Sequence, residues 1–475
     1  MQKRLEELLA LAQRRGAGYA DIRFVKTQTE SVGLKNDAVE TLSARTDAGF
    51  GVRVLYNGAW GFASRPGHCP GGLEEVVERA VGVARASARC QKGGVTLAPV
   101  QPVVDHYQTP VVQDPFEVKL EARIELLKDA VNAMRRGEHI GLARAGMSIF
   151  RTEKTFASSE GAYITQDIVE SGAALSAVAR NSQDVQTRSF SDYATRGYEF
   201  IDELDLPTKA LAVAWEAGAL LDAASCPAGV TDLICGGSMV ALQVHESCGH
   251  PIELDRVMGS EATFAGTSFL TLEKHGIFQY GSEAVTLTAD ATIPGAFGSF
   301  GYDDEGVPAQ RTTIVDRGRF VDYLTSRETA GMFGQESNGT MRAVGWQNIP
   351  LIRMTNINLE PGDWTLDEII GDTKQGIYVD SPKSWSLDDK RLNFHFGQEV
   401  AYEVVNGSLG RMLKNPAYTS MTPEFWNSCD AVAGPETWKV YGLPGCAKGE
   451  PVQSIHVGHG ATPARFRRIK VGVGQ

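Results

Sequence analysis

The sequence predicts an α+β protein of two domains, an N-terminal α/β layered domain over residues 1–226 and a strand-rich C-terminal domain over residues 227–475. Three observations favour this fold class. The chain has 475 residues, which is more than one hydrophobic core usually holds. Its first half alternates amphipathic helical segments with extended ones, and its second half contains mostly extended segments, turns and hairpins.

The N-terminal half is predicted to begin with an amphipathic helix that ends before Gly16. Its apolar residues have the spacing of one helix face and are Leu5, Leu8, Leu9 and Ala12. Alternating apolar and polar residues in YADIRFVKTQTESVGLKN then predict a strand. A hairpin follows in VRVLYNGAWGFAS, because Asn57-Gly58 supplies the positive φ that a two-residue turn requires.

The remaining segments of this half keep the same alternation. Two helices are predicted at GGLEEVVERAVGVARASAR and FEVKLEARIELLKDAVNAMRR, extended structure from GMSIF to AVAR, and a helix from about Leu206 to Ala224. Pro227 and Gly229 end that helix, which places the domain boundary after residue 226. The C-terminal half contains two further hairpin patterns, TTIVDRGRFVDYL and AYEVVNGSLGRM, and short helices such as GDWTLDEIIGD.

The amino-acid composition limits the partners and the cellular compartment that we expect for this protein. Lys and Arg number 46 against 58 Asp and Glu, for a net charge of −12, so we expect no nucleic-acid partner. The most apolar long stretch is interrupted by Glu216 and Asp222, so we expect no membrane span. Seven cysteines without framework spacing and no apolar signal segment near Met1 predict a cytoplasmic protein with reduced thiols.

The stretch VHESCGHPI, in the predicted C-terminal domain, places His245 and Glu246 side by side and His250 five residues after the first histidine. Zinc peptidases commonly carry H-E-x-x-H, whose histidines lie about 40° apart on one helix face. A spacing of five separates them by about 140° on a straight helix. Either unwinding of the helix at Gly249, before Pro251, or one π-type turn would bring them together. The pattern is therefore compatible with a metal site.

A catalytic zinc site needs a third protein ligand and an open position for water. The side chains that could supply this ligand are Cys248, Glu253, Asp255, His395, Cys446, His456 and His459. Their spacing does not select one of them. The ordinary alternative is that these are unrelated core and surface residues, with Glu246 an exposed helix carboxylate, because most buried cysteines and histidines bind no metal.

Beyond this motif the sequence resembles the TldD/PmbA family of metallopeptidases, and within it the metal-bearing TldD-type subunit. The resemblance rests on an H-E-x-x-x-H pattern in HESCGHPIELDRVMGSEATFAGTSFL and on three later segments in the same order. These segments are GSFGYDDEGVPAQRT, PLIRMTNINLEPGDWTLDEIIGDTKQGIYV and GCAKGEPVQSIHVGHGATPARFR. They span essentially the whole C-terminal half, while SSEGA is the clearest similarity in the N-terminal half.

The resemblance implies that Zn²⁺ is bound by His245, His250 and Cys446, and that Glu246 is the catalytic carboxylate. A zinc-activated water would lose a proton to Glu246 and attack the scissile carbonyl. Glu246 would then return this proton to the leaving amine. Candidates for stabilising the oxyanion are Tyr302, Arg311 and His459. The expected function is hydrolysis of extended or unfolded peptides by a zinc-dependent peptidase.

The resemblance also implies a homodimer or a heterodimer with a PmbA-like subunit, which lacks the metal motif. Two segments depart from the family pattern. Family members often show Cys-Gly-Lys followed by Gly-Gln-Pro, where this chain has residues 446–451 as CAKGEP. A Gly-rich stretch of bacterial members is replaced by SPKSWSLDDKRLNFHFG, so contacts with substrate cannot be transferred there.

Two alternative functions fit the same residues. Deformylases also bind zinc through one cysteine and two histidines, so the ligand set alone does not specify peptide cleavage. A peptide-binding or assembly subunit with structural zinc is the second alternative. A closed four-ligand site, completed for example by His459, would favour it.

Overall fold

The computed structural model describes residues 1–91 and 93–472 and has the predicted α+β architecture with a strand-rich C-terminal region. The N-terminal strands are β1 (Tyr19–Lys35), β2 (Ala38–Tyr56), β3 (Ala59–Pro66), β4 (Val104–Gln108), β5 (Ile140–Ser158), β6 (Tyr163–Arg180) and β7 (Val185–Ala194). The helices of this region are α1 (Gln2–Arg14), α2 (Leu73–Ala88), α3 (Leu120–Arg135), α4 (Tyr198–Glu203) and α5 (Leu206–Asp222).

The N-terminal strands form one sheet in the order β3-β2-β1-β5-β6, and β4 and β7 both pair with β6. The predicted hairpin joins β2 and β3, with φ of 45° at Asn57 and 77° at Gly58. On one face, the apolar side chains of Ile22 and Val32 lie in two clusters, with α1 and α2 packing on the first and α3 and α5 on the second. The sheet and its helices therefore form the predicted layers.

The opposite face of this sheet contacts the C-terminal region through buried charges. Arg53 forms ion pairs with Asp21 of its own sheet and with Glu305, at 2.8 and 3.1 Å. Arg23 donates to the carbonyl of Asn348 at 2.6 Å. Because buried charges are stable only when paired, these contacts fix how the two regions meet.

From residue 224 onwards, the part of the chain that the structure describes contains sixteen strands. They are β8 (Ala224–Ser225), β9 (Gly229–Cys235), β10 (Leu287–Asp290), β11 (Arg311–Asp316), β12 (Arg319–Phe320), β13 (Met341–Arg342), β14 (Leu351–Ile352), β15 (Ile357–Leu359), β16 (Gln375–Leu387), β17 (Asn393–Val405), β18 (Ser408–Lys414), β19 (Ala417–Met421), β20 (Cys429–Val432), β21 (Lys439–Lys448), β22 (Gln453–Ala461) and β23 (Ala464–Val471). Its helices are α6 (Gly237–Val244), α7 (Leu254–Val257), α8 (Arg327–Met332), α9 (Leu366–Gly371) and α10 (Thr422–Asn427). The boundary after residue 226 remains a prediction, and β8, just before it, pairs with β18.

Five C-terminal strands close into a ring. The order is β16-β9-β23-β19-β17, and β17 pairs back with β16. β18, β8 and β20 extend this sheet, while β10, β11, β12 and β15 form a second one and β21 pairs with β22. Aromatic residues of the ring, including Phe396, Tyr418 and Phe466, share a core with α6. The two predicted hairpins are β11–β12 and β17–β18.

The described helices include none that is both long and apolar enough to cross a membrane.

Candidate metal centre

A π-helical turn brings the two motif histidines together. Helix α6 continues directly into this turn over His245–Gly249, where the backbone N–H of His250 donates to the carbonyl of His245 at 3.2 Å. A π-turn places residues five apart near one face, and the two imidazole centroids are 4.9 Å apart. Of the two local changes that the sequence allowed, the π-type turn is the one observed.

The other expectation, unwinding at Gly249 before Pro251, is wrong. His250 keeps helical dihedrals, with φ −68° and ψ −40°, although a following proline disfavours them. Gly249 is needed for space, because a Cβ built there would lie 2.3 Å from the sulfur of Met354. The glycine therefore allows close packing against the side chain of Met354 and does not end the helix in a left-handed conformation.

The β21–β22 hairpin brings Cys446 to the same place from about 200 residues further along the chain. The pairing of its strands shifts between Leu443 and Cys446, as a β-bulge does, and Cys446 lies opposite Ile455. The thiol sulfur of Cys446 is 3.9 Å from Nε2 of His250, and one potential ligand atom from each of His245, His250 and Cys446 lies within 4.8 Å of the others. All three side chains are buried.

The other candidates for a third ligand have different surroundings. Cys248 lies in the apolar core, and burial raises the pKa of its thiol. Asp255 pairs with Lys448 at 2.6 Å, and His456 pairs with Glu170 at 2.9 Å. Glu253 and His459 contact the histidines themselves, and His395 belongs to no metal-ligand cluster among the described residues.

His459 determines which nitrogen of His245 carries a proton. Its Nδ1 lies 3.2 Å from the carbonyl of Ile357, an acceptor, so Nδ1 must carry the hydrogen. Burial lowers the pKa of His459 well below its usual value, so its Nε2 is a bare acceptor, 2.8 Å from Nδ1 of His245. Nδ1 of His245 therefore donates, and its Nε2 keeps a free lone pair.

Glu253 orients His250 in the same way. Nδ1 of His250 donates to the buried Glu253 carboxylate at 3.1 Å, which leaves Nε2 free on the side of Cys446. Burial alone would raise the pKa of Glu253, but the charges of Lys448 and Arg256 and the hydrogen bond from His250 hold it well below its usual range. The carboxylate is thus ionised and can only accept, which fixes the tautomer of His250.

The donor set fits a zinc ion. Burial lowers the pKa of both His245 and His250, which favours the neutral, ligating imidazoles. Burial acts to raise the pKa of Cys446, but His250 and the guanidinium of Arg353 outweigh it and leave that pKa below its ordinary value. A tetrahedral site with ordinary Zn–N and Zn–S bonds has N···S separations of roughly 3.6 Å, close to the 3.9 Å between His250 and Cys446.

A testable consequence concerns His459. Its replacement by alanine removes the acceptor of a buried N–H, so His245 loses its fixed orientation and we expect zinc affinity to fall about 10- to 100-fold. Chelator competition would measure this affinity. His459→Gln restores an oxygen acceptor and should recover part of the loss. Unchanged affinity in His459→Ala would contradict the orienting role, and equal loss in both variants would indicate direct ligation.

Glu246 is held by an arginine that the sequence did not single out. Its carboxylate accepts from Nη1 of Arg391 at 2.7 Å, and 7% of its side chain is exposed against 18% for Arg391. Arg391 follows Glu246 by 145 residues and lies in the stretch SPKSWSLDDKRLNFHFG, so no local spacing relates the two. Their proximity depends on the closed ring of strands, which only the structure reveals.

The candidates for oxyanion stabilisation differ in their contacts. Tyr302 donates to Asp105, and Arg311 pairs with Glu360 at 3.0 Å with half of its side chain exposed. Only His459 touches a residue of the cluster, and its Nε2 is occupied by His245. Among the described residues, none of the three presents a free hydrogen-bond donor to the histidine–cysteine cluster. The structure therefore gives no support to their assignment as oxyanion donors.

One cavity at the junction of the two regions does not contain the cluster. It has a volume of about 300 Å³ and lies between β1, β5 and β6 of the first sheet and the C-terminal region, with Glu170, Arg342 and His456 in its wall. His456 and His459 alternate along β22 and so point to opposite faces of that strand. The cavity and the histidine–cysteine cluster therefore lie on opposite sides of β22.

This fold and this cluster define a class of protein, an α+β protein with a candidate His–His–Cys metal centre and an adjacent carboxylate. Family models match three consecutive parts of the chain. They are described as PmbA/TldA metallopeptidase domain 1 over residues 20–84, the central domain over 113–221 and the C-terminal domain over 228–472. The chain belongs to the PmbA/TldD family, which confirms the resemblance seen in the sequence.

Similar proteins carry metalloprotease names. A metalloprotease of Methanocaldococcus jannaschii is 30% identical over 96% of this chain and 97% of its own. A zinc metalloprotease TldD homolog of Saccharolobus solfataricus is 25% identical over 97% of this chain and 98% of its own. Among solved structures, TldE from Thermococcus kodakarensis superposes with a TM-score of 0.79 at 18% identity, covering 98% of this chain and 99% of that one. This last likeness shows the fold alone.

Proposed function

We propose that this chain is a zinc-dependent peptidase that hydrolyses extended or unfolded peptides. The observation that carries the proposal is the convergence of His245, His250 and Cys446, with Glu246 on the same helical turn. Zinc requires neutral imidazoles and a deprotonated cysteine. Hydrogen bonds at Nδ1 leave Nε2 of both histidines available, and the pKa of the Cys446 thiol is lowered. The metalloprotease names of the relatives give independent support.

The chemistry assigns a separate task to each of these side chains. A bound zinc ion would acidify a water and polarise the substrate carbonyl. Glu246 follows the ligand His245 directly, and adjacent residues on a helix point about 100° apart, so it is placed beside the metal rather than on it. Its carboxylate would accept the proton of the water and return it to the leaving amine. Arg391 holds that carboxylate in place through Nη1.

The alternative function requires a structural zinc site with four protein ligands, and His459 is not available as the fourth. His459 was the residue that could have completed four protein ligands. Its Nδ1 faces the carbonyl of Ile357 and its Nε2 is bonded to His245, so neither nitrogen is available to a metal in this arrangement. Three protein ligands leave a position for water, as catalytic sites require.

The proposal includes a second subunit, either another copy of this chain or a PmbA-like one. Its support is the membership of the PmbA/TldD family and the full-length likeness to the TldE fold. In such a dimer both subunits share one fold, but only one of them needs the metal motif. The other subunit would then shape the path by which a peptide approaches the cluster.

The test is hydrolysis of an unfolded peptide by the purified chain, alone and then with a candidate partner subunit. We expect about one zinc ion per chain, cleavage that a chelator abolishes, and recovery of cleavage on adding zinc. Formyl-peptides serve as the comparison, because a deformylase would act on them and spare ordinary peptide bonds. Cleavage that persists after complete removal of metal would contradict the proposal.

A further inference from the structure

A short segment of the chain, residues 352–354, lies between the π-turn and the β21–β22 hairpin. It belongs to the stretch PLIRMTNINLEPGDWTLDEIIGDTKQGIYV, which contains none of the candidate metal ligands. Met354 packs against Gly249 of the π-turn. The carbonyl of Ile352 accepts from Nζ of Lys448, a fully buried residue of the hairpin, at 2.7 Å. The middle residue of the segment is therefore placed between the two elements that carry the cluster.

This middle residue, Arg353, is a fully buried cation that bonds to both strands of the hairpin. Its Nη2 donates to the carbonyl of Cys446 in β21, and its Nη1 donates to the carbonyl of Gln453 in β22 at 3.0 Å. The strand pairing is irregular just before Cys446, and a β-bulge disrupts the ladder locally. Because a guanidinium group presents its donors in one rigid plane, Arg353 fixes the two strands relative to each other at the residue that carries the thiol.

One carboxylate connects Arg353 to a motif histidine. Oε1 of Glu253 lies 4.0 Å from Nε of Arg353, and Oε2 of the same carboxylate accepts from Nδ1 of His250 at 3.1 Å. Both members of this ion pair have 0% exposure, and breaking a buried pair is costly because it leaves an unpaired charge. The imidazole of His250 and the main chain of Cys446 therefore share one buried support.

Compensation of the charge on Glu253 does not require Arg353. Three Lys and Arg side chains of the described chain lie within 4.0 Å of this carboxylate, namely Arg256 at 3.4 Å, Lys448 at 3.6 Å and Arg353 at 4.0 Å. Arg353 is the most distant of them. Nη1 of Arg256 donates to the carbonyl of Ala265, which lies outside the hairpin. The distinct contribution of Arg353 is its pair of bonds to the hairpin carbonyls.

We propose that Arg353 is a positioning residue for the third zinc ligand, an inference that rests on the metal site of the proposed function. It holds Cys446 at the separation from His250 at which both can bind one ion, 3.9 Å between sulfur and Nε2. Without the guanidinium, two buried carbonyls lose their donors, and the hairpin shifts to satisfy them elsewhere. The thiol moves with its strand, which weakens a site that has only three protein ligands.

The test measures metal binding without hydrolysis. The full-length chain is prepared free of metal and titrated with zinc against a competing chelator, and separately with cobalt(II), whose absorption reports a bound thiolate. Arg353→Lys keeps the positive charge but lacks the planar fork. We expect its zinc affinity to fall about 10- to 100-fold and its thiolate–cobalt absorption to weaken. Arg353→Gln, which keeps amide donors but no charge, should lose at least as much.

The matched control is Arg465→Lys. Arg465 is also buried, at 1% exposure, and its guanidinium donates to the carbonyl of Ile369 and pairs with Asp430, neither of which belongs to the cluster. The same substitution there should lower thermal stability but leave zinc affinity and cobalt absorption unchanged. Hydrogen exchange adds a local measurement, because the amides of β21 and β22 should exchange faster in Arg353→Lys than in Arg465→Lys.

Three results would overturn the inference. They are metal binding in both Arg353 variants like that of the unchanged chain, an equal loss of affinity in Arg465→Lys, and failure of both Arg353 variants to fold under conditions in which Arg465→Lys folds. The last result would show that Arg353 supports the fold as a whole. An unchanged chain that binds zinc but cleaves no peptide would contradict the peptidase function and leave this role of Arg353 in place.

Discussion

Replacing Glu246 by glutamine should lower the turnover of an unfolded peptide by about 10²–10⁴-fold while zinc content is unchanged. Glutamine has nearly the same shape and can still accept from Nη1 of Arg391, but it has no basic carboxylate. The proton of the attacking water then has no acceptor and the leaving amine no donor. Peptide hydrolysis measures the turnover, and elemental analysis of the same preparation measures the zinc content. Together they check both parts of the prediction.

The matched control is Glu283→Gln, which removes an exposed carboxylate, with 86% of its side chain accessible, elsewhere in the C-terminal region. It should hydrolyse peptide at the normal rate. Thermal unfolding of both variants separates a catalytic effect from a folding defect. Normal turnover in Glu246→Gln would rule out its role as base, and loss of zinc in that variant would indicate that Glu246 is a ligand instead.

Local sequence predicted those parts of the fold that depend on neighbouring residues. Asn57-Gly58 specified a hairpin because few other residues accept positive φ at both turn positions, and the apolar spacing of Leu5 and Leu8 specified α1. The position of His250, five residues after His245, was compatible with a π-turn because this too is a local constraint on the backbone. Five-residue spacing beside a glycine constrains the backbone locally, and the turn forms at that place.

Contacts between segments that are distant in the chain could not be predicted from the sequence. Spacing could not choose Cys446 over six other candidates, because that choice depends on how β21 and β22 pack against α6. It also gave no signal for Arg391, whose contact with Glu246 follows from the closure of β16 on β17 and β9. The resemblance to a family supplied Cys446 without a physical argument, and nothing supplied Arg391 or the orienting roles of Glu253 and His459.

The two cysteines nearest the histidines provide a matched pair of variants for the third ligand. Cys446 and Cys248 are both fully buried, with 1% and 0% exposure, so replacement by alanine creates a similar cavity at each. Their thiols differ in chemistry, because burial raises the pKa of Cys248 whereas His250 and Arg353 leave that of Cys446 lowered. Only Cys446 shares the cluster with His245 and His250.

Zinc occupancy and peptide hydrolysis should both collapse in Cys446→Ala and persist in Cys248→Ala, because two histidines alone are too few for a stable catalytic zinc site. The pH dependence gives a second measurement. Zinc binds the thiolate and the neutral imidazoles, so its affinity should fall as pH falls and protons compete for these groups. Cys446→Ala removes one competing proton, and the affinity that remains should depend less steeply on pH over the range in which the thiol titrates. If Cys248→Ala empties the site and Cys446→Ala does not, the third ligand lies within HESCGH and the β21–β22 hairpin only packs beside it.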